Sequence, residues 1–379
     1  MSTHDDQPRP DGSPSDHASA AGSTATGGAR KARRGHWSGR HKIVTGVMTF
    51  VLLIFLAFGG WLFYLNQMFG NIEQVAITVP QAGRPHHTGG KDLNILIAGA
   101  DNGTGPSIAK DVAAGKWPQG AHRSDTIIIF HLSADRKHAY LISIPRDSYV
   151  KLYDGMGQYK YTDKVNGAFS LYGPSGYLST IEHLTGLRMD HLAIIDWKGF
   201  KDLSTALGGV RVYIPHTFYD DSQKITWHKG WQNLSGEMAL HYVRTRHGLS
   251  NGDFGRIARQ QNFVRAMMQK LMDQGTLSNP IELTQALRAI TSNLTVDSGW
   301  SGSNIRNLAL SLRGLKQSDV TFLTAPMKAY GTTSSGESVV LLNKKQCAAL
   351  WRSVANDNID AYLKKYGKST ALGGAQSVN

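Results

Sequence analysis

Residues 43–65, IVTGVMTFVLLIFLAFGGWLFYL, contain no charged side chain. A helix of that length crosses a hydrocarbon core of about 30 Å, and in lipid a lone segment satisfies its backbone only as a helix. Trp61 and Tyr64 sit near its far end, where interfacial aromatics collect. A signal peptide is the rival reading, but its apolar stretch is shorter and a small-residue cleavage site follows it. An uncleaved transmembrane helix is therefore expected. Arg30, Lys31, Arg33, Arg34, Arg40 and Lys42 precede it, which places the N-terminus in the cytoplasm and everything after about residue 66 outside. That topology sets nucleic acid aside as a partner of the main domain, although a formal charge of +13 calls for anionic partners. Residues 1–29, rich in Asp, Ser, Gly and Pro, are expected to be disordered, which with the basic flank makes 1–42 a cytoplasmic tail.

Pro80, Gly83, Pro85, Gly89 and Gly90 mark residues 66–91 as a stalk. Beyond it, apolar runs of strand length alternate with helical patterns. Strands are expected at 93–98, 127–132, 138–145, 191–197, 210–214 and 320–323. Helices are expected at 108–114, 164–172, 175–184, 199–207, 235–240, 253–272, 281–290, 303–312 and 343–354. Gly173-Pro174 breaks one helical stretch in two, and Ala134-Asp135-Arg136 forms a hairpin between the second and third strands. No composition break divides the run, so one α/β domain is expected over 92–366, with a flexible tail at 367–379. Cys347 is the only cysteine, which excludes an intrachain disulfide. No Gly-Lys-Ser/Thr completes a P-loop, and no Gly-x-Ser-x-Gly or Cys/His constellation suggests a nucleophilic triad.

Residues 241–261, HYVRTRHGLSNGDFGRIARQQ, read as strand, loop and helix. Tyr242, Arg244 and Arg246 are two apart and would share one face of a strand. Asp253 is placed to cap a helix running to about residue 272. Along that helix Asp253, Arg256 and Gln260 fall on one face, at i, i+3 and i+7. Two strand arginines and a helix start bearing Arg256 and Arg259 can then converge beside free backbone N–H groups. Such a place suits an oxygen-rich anion, above all a phosphate or pyrophosphate. A solvated basic surface is the ordinary alternative for an arginine-rich run; the same-face spacing favours a site.

Three strands end or begin at Asp101, at Asp125, and at Arg146 with Asp147. Each acid alone reads as a turn or cap residue. Together they suggest a divalent-metal site of hard oxygen ligands facing the arginines.

These residues stand in an order that resembles the LytR-CpsA-Psr family. The matching motifs are Gly-Ala-Asp101, Arg123-Ser-Asp125-Thr, Ser143-Ile-Pro-Arg146-Asp147, Lys164-Val-Asn166-Gly-Ala-Phe, Asp190-His, Gly208-Gly-Val, Arg244-Thr-Arg246 and Asp253-Phe-Gly-Arg256-Ile-Ala-Arg259-Gln-Gln. The resemblance implies an α/β/α sandwich around a mixed sheet, with a pocket for a lipid chain. It also implies a membrane-anchored phosphotransferase that moves a glycopolymer from a polyprenyl-pyrophosphate carrier to peptidoglycan. Asp101 and Asp125 would bind Mg²⁺, or Mn²⁺ in its place. Arg123, Arg146, Lys164, Arg244, Arg246, Arg256, Arg259 and Gln260 would contact the pyrophosphate. Arg146, Asp147, Arg244, Arg246 and Asp253 make up the catalytic set, with Asp147 or Asp253 taking the acceptor's proton. The family pattern carries an arginine two residues after the first aspartate; Gly103 stands there in this chain, so that contact is missing or comes from another residue. Two other functions use the same groups: an anchored module that only holds anionic wall polymer, and a polyprenyl-pyrophosphate hydrolase. The paired acids argue against the first, because an anion-binder gains nothing from carboxylates inside its site.

Overall fold

The computed structural model describes residues 39–87, 90–101, 108–115, 117–245, 252–272 and 279–378. The expected tail at 1–29, Gly103 and Arg246 lie outside the described residues. The first element is α1 (Gly39–Gly70). Its stretch Met48–Gly70 is long and apolar enough to cross a membrane. Met48 to Phe58 expose their large apolar side chains, as a helix in lipid does. This helix suggests a single-pass membrane anchor.

There follow β1 (Glu73–Val75), β2 (Leu93–Asp101), α2 (Ile108–Ala113), β3 (Arg123–Leu132), β4 (Ala139–Ser143), β5 (Tyr149–Tyr153), β6 (Tyr159–Lys164) and α3 (Asn166–Thr185). Next come β7 (His191–Asp196), α4 (Trp197–Ala206), β8 (Val210–Ile214), β9 (Phe218–Asp220), β10 (Ile225–Trp227), β11 (Gly230–Leu234), α5 (Gly236–Arg244) and α6 (Gly252–Met272). The chain closes with α7 (Pro280–Thr291), β12 (Leu294–Asp297), α8 (Gly302–Ser311), β13 (Val320–Thr324), β14 (Met327–Thr332), β15 (Ser338–Leu342), α9 (Lys344–Ala355) and α10 (Ile359–Thr370).

Seven strands form a mixed sheet in the order β1-β12-β7-β2-β3-β4-β13. The near-continuous apolar runs of its central strands follow from burial on both faces. Leu96, Ala98, Ile127, Ile129 and Ile142 pack on one side with Ile181 of α3, Leu350 of α9 and Tyr362 of α10. Ile97, Ile128, Phe130 and Leu141 pack on the other with Val264 and Met268 of α6, while Ile95 and Val296 meet Leu287 of α7 and Leu308 of α8. The result is an α/β/α sandwich. Gln261 fastens α6 to the sheet: its buried Nε2 donates to Ser143 Oγ at 2.8 Å and to the Leu323 carbonyl at 2.7 Å.

The sequence reading needs several corrections. Residues 241–244 are helical, not a strand: α5 continues to Arg244, with Ala239, Leu240, Tyr242 and Val243 buried. Those four occupy i, i+1, i+3 and i+4, so a helix buries all of them, whereas a strand would expose alternate ones. Tyr242 and Arg244 therefore do not share a face. The break expected at Gly173-Pro174 is present: Gly173, at φ 65°, ψ −166°, leaves the helical region and divides α3 into two helical stretches. The hairpin β5–β6 and helix α10 were not expected; α10 runs past residue 366, and Ala371 bridges to Leu323.

Residues 66–91, read as a stalk, are partly integral to the domain. β1 pairs in parallel with β12, and Val75 and Val79 enter the core. Arg84 makes a two-pronged contact with Glu182, Nε to Oε2 at 2.8 Å and Nη2 to Oε1 at 2.7 Å, and Nη2 also reaches the Met189 carbonyl at 2.7 Å. Glu182 is 1% exposed. A buried carboxylate this well satisfied makes Arg84 a structural residue.

Candidate active site

β2, β4 and β7 run in the same direction and end at one edge of the sheet, where antiparallel β3 begins. Ligand groups collect at such edges, because the chain turns there without having to continue a ladder. Asp101 closes β2 and stands opposite Arg123 in the register. The ladder then slips: Ala100 pairs with Ser124 but Gly99 with Thr126. Asp125 is the extra residue of a β-bulge, a device that re-aims a side chain at a sheet edge.

Arg146, just beyond β4, forms an ion pair through Nη1 with Asp125 Oδ1 and reaches Asp147 Oδ2 through Nε at 3.4 Å. Arg244, at the end of α5, reaches Asp101 Oδ2 at 3.4 Å and lies 5.3 Å above the ring of Trp197. Trp197 is set by the start of α4, where the Asp196 side chain accepts from the Gly199 N–H at 2.7 Å. Asp125, Trp197, Arg244, Arg256 and Gln260 line one cavity of about 620 Å³ with Ser222, Gln223, Glu237, Leu240 and His241. Arg256 is only 2% exposed, so the cavity floor carries a guanidinium largely removed from water. An anion entering there meets strong, weakly screened attraction and forked donors.

The structure thus brings together Asp101, Asp125, Arg146, Asp147, Arg244, Arg256 and Gln260. Arg123 is exposed beside Asp101 and does not line the cavity. Lys164 has its backbone close to Arg146, because the Asn166 N–H donates to the Arg146 carbonyl at 3.1 Å. Its ammonium, however, pairs with Glu337 at 3.4 Å. Arg246 lies outside the described residues, as does the side chain of Asp253, whose backbone is already within α6 rather than capping it.

Arg259 is placed elsewhere. Its guanidinium lies against Phe218 at 4.7 Å and Tyr242 at 5.5 Å, behind the cavity wall, and it is 2% exposed. Burial pulls its pKa down to about 10. A cation whose folded pKa lies below its unfolded one weakens the fold at pH 7, and that cost fades only as pH rises through about 10. Arg259→Met keeps the bulk without the charge and is expected to raise stability by about 1–3 kcal/mol, net of lost cation–π contact. Urea unfolding at pH 7 checks this; a loss of stability of that size would show the ring contacts dominate.

Sequence reasoning missed Glu237, Leu240 and His241. With Arg244 they stand at i, i+3, i+4 and i+7 on α5, so a helical reading of this stretch would have exposed all four. Gln223 and Ser222 carried no local signal. They are placed by Asp220, which accepts from both and is held below the usual carboxylate range by these bonds despite burial, while Gln223 Oε1 meets His241 Nδ1 at 2.5 Å.

The cell wall biosynthesis protein LcpA of Corynebacterium glutamicum is 28% identical over 359 residues, 84% of this chain and 66% of that protein. The polyisoprenyl-teichoic acid–peptidoglycan teichoic acid transferase TagU of Enterococcus faecalis is 32% identical over 221 residues, 58% of this chain and 66% of that protein. The chain thus spans slightly under two thirds of these relatives. Among solved structures, Bacillus subtilis TagV superposes with TM-score 0.56 at 23% identity, covering 71% of this chain and 98% of that one. A LytR-Csp2A-Psr enzyme from Actinomyces oris gives 0.56 at 21% identity, with 75% and 96% covered. At such identities the likeness speaks for the fold alone. The LytR_cpsA_psr family model matches residues 68–356, which takes in the whole sheet and every described group of the cavity, and the chain belongs to that family.

Proposed function

We propose that the protein is an anchored phosphotransferase that joins a glycopolymer, carried on polyprenyl pyrophosphate, to peptidoglycan. The observation that supports this best is the pair of acid–arginine contacts, Asp101–Arg244 and Asp125–Arg146, at the cavity with Arg256 and Gln260. Relatives named as a cell wall biosynthesis protein and a teichoic acid transferase point the same way. Arg146, Arg244 and Arg256 would fork onto the pyrophosphate oxygens and stabilise charge shifting to the leaving phosphate. Gln260 would donate from the same helix face. Asp147, held by Arg146, is the described acid best placed to accept the acceptor hydroxyl's proton.

Asp101 and Asp125 fit Mg²⁺, a hard ion often held by one or two carboxylates together with substrate phosphates. Among the described residues no three His, Cys, Asp or Glu side chains gather into a metal-binding group, so substrate oxygens would have to complete the shell. When bound, the ion would neutralise pyrophosphate charge.

Asp101 and Asp125 are both engaged by arginines, which makes them a poor acid–base pair for a glycosidic bond. Attack therefore falls on the phosphorus nearer the sugar: the acceptor oxygen bonds to it, the bond to the lipid phosphate breaks, and lipid monophosphate leaves. The test is to incubate the detergent-solubilised full chain with a lipid-pyrophosphate glycan, Mg²⁺ and peptidoglycan fragments. Phosphorus NMR and mass spectrometry should show a phosphodiester at the junction and no product in EDTA. A phosphate-free junction with released lipid pyrophosphate would overturn the mechanism, and free phosphorylated glycan alone would make the protein a hydrolase.

The basic residues before the helix support an orientation with the domain outside the cell. Protease added to intact protoplasts should remove everything after about residue 70; full protection would reverse the orientation.

A further inference from the structure

β5 alternates cleanly: Val150 and Leu152 face the core, while Tyr149, Lys151 and Tyr153 face outward. That outward face floors an open groove of about 870 Å³. Its other wall carries Lys328 from β14 and Lys344 and Lys345 from the first turn of α9. Among the described residues no carboxylate lies within ion-pair distance of these four lysines. Two lysines in the first turn of a helix also stand where the helix dipole disfavours cations. The placement concentrates positive potential that no described carboxylate neutralises.

The aromatic groups are equally specific. Tyr153 stacks flat on His183 at 3.8 Å and meets Tyr159 at 6.0 Å, while Lys151 lies 5.6 Å over the Tyr159 ring. Tyr149 and Tyr159 are exposed. Rigid ring faces beside lysines suit a ligand that offers apolar C–H faces and regular negative charge, which describes an acidic polysaccharide. A neutral glycan would leave the lysines unused. A lipid surface would want apolar side chains in place of charged ones.

The groove also has a direction. It starts at Tyr149, two residues past Asp147, and Ser148 bridges Val340 of β15. Its Tyr149 end therefore lies near the Asp125–Arg146–Asp147 contacts, and it runs from there along β5.

We propose that this groove binds the body of an anionic glycan, a chain of sugars bearing phosphate or carboxylate, at a site separate from the pyrophosphate cavity. This goes beyond the transfer reading, which concerns only the pyrophosphate end.

The test uses the detergent-solubilised full chain and titrates it with a glycerol-phosphate oligomer of about six units, an oligouronate of similar length, and a neutral dextran oligomer. Isothermal calorimetry at two salt concentrations reads the affinity. Either acidic oligomer should bind, several-fold more weakly as salt rises, and dextran at least tenfold more weakly than that. A phosphate-only or uronate-only result identifies which acid the groove prefers, and both support the site. Lys344→Glu with Lys345→Glu should cost at least about tenfold, as should Lys328→Glu with Lys151→Glu, and Tyr149→Ala about threefold or more. Arg244→Ala, which alters the pyrophosphate cavity, should leave oligomer binding within about twofold, so the two sites fail separately. Unchanged affinity in both charge-reversed variants, or equal binding of dextran, overturns the proposal. So does equal binding of a single-stranded DNA oligomer, which would mean bulk charge alone is read.

Discussion

Replacing Arg146 by alanine is expected to lower transfer by about 100- to 1,000-fold, the usual cost of removing one preorganised donor from developing negative charge. Arg146 stands between Asp125 and Asp147, so in the proposed reaction it would contact the anion as well as orient two acids. The loss should fall mainly on the chemical step, and product formation under saturating donor would show it. Arg146→Lys should recover only part, because one ammonium cannot span two carboxylates and still fork onto phosphate oxygens. Arg313→Ala, on an exposed turn far along the chain, serves as a control and should stay within about twofold. A drop of less than about threefold in Arg146→Ala, with the melting temperature unchanged, would remove the residue from the mechanism.

The second large effect is on stability. Arg84→Ala is expected to cost about 3–5 kcal/mol in urea unfolding, because Glu182 would be left as a buried charge without its counter-ion. Met189 N–H still donates to Glu182 Oε1 at 2.9 Å, and that single bond cannot replace a guanidinium. Removing both charges with Arg84→Met and Glu182→Leu should recover most of the loss, since an apolar pair avoids desolvation altogether. If Arg84→Ala costs under about 1 kcal/mol, residues 76–87 are a tether after all. The sequence offered no hint of this contact: Pro and Gly composition is a local signal, whereas the Arg84–Glu182 pair joins residues 98 apart.

The same division runs through the rest of the molecule. The central strands could be read because each carries three or more consecutive apolar residues, and burial on both faces demands such runs. β5 was missed because only Val150 and Leu152 mark it, too few for a pattern. That Asp101, Asp125 and Arg146 belong to one candidate site was legible because a polar residue at the end of a buried strand is conspicuous. Which arginine meets which acid was not, because that depends on α5 returning from far along the chain. The misreading of α5 had a local cause. Tyr242, Arg244 and Arg246 alternate like a strand, and that short-range regularity masked the helical face formed by Glu237, Leu240, His241 and Arg244.

The bulge on β3 has a consequence for how this site can be lost. The pairs on either side of Asp125, Ser124 with Ala100 and Thr126 with Gly99, join two consecutive residues on β2. Without Asp125 the two strands would close into an uninterrupted ladder, and Ile127 to Leu132 would keep their partners and their faces. Loss of a single codon would therefore erase an acid of the site while leaving the scaffold whole. A substitution keeps the extra residue and its distortion; a deletion heals it. The bulge makes this acid an insertion that the architecture tolerates but does not need, and an in-frame deletion at this position should yield an inactive protein that folds and accumulates normally.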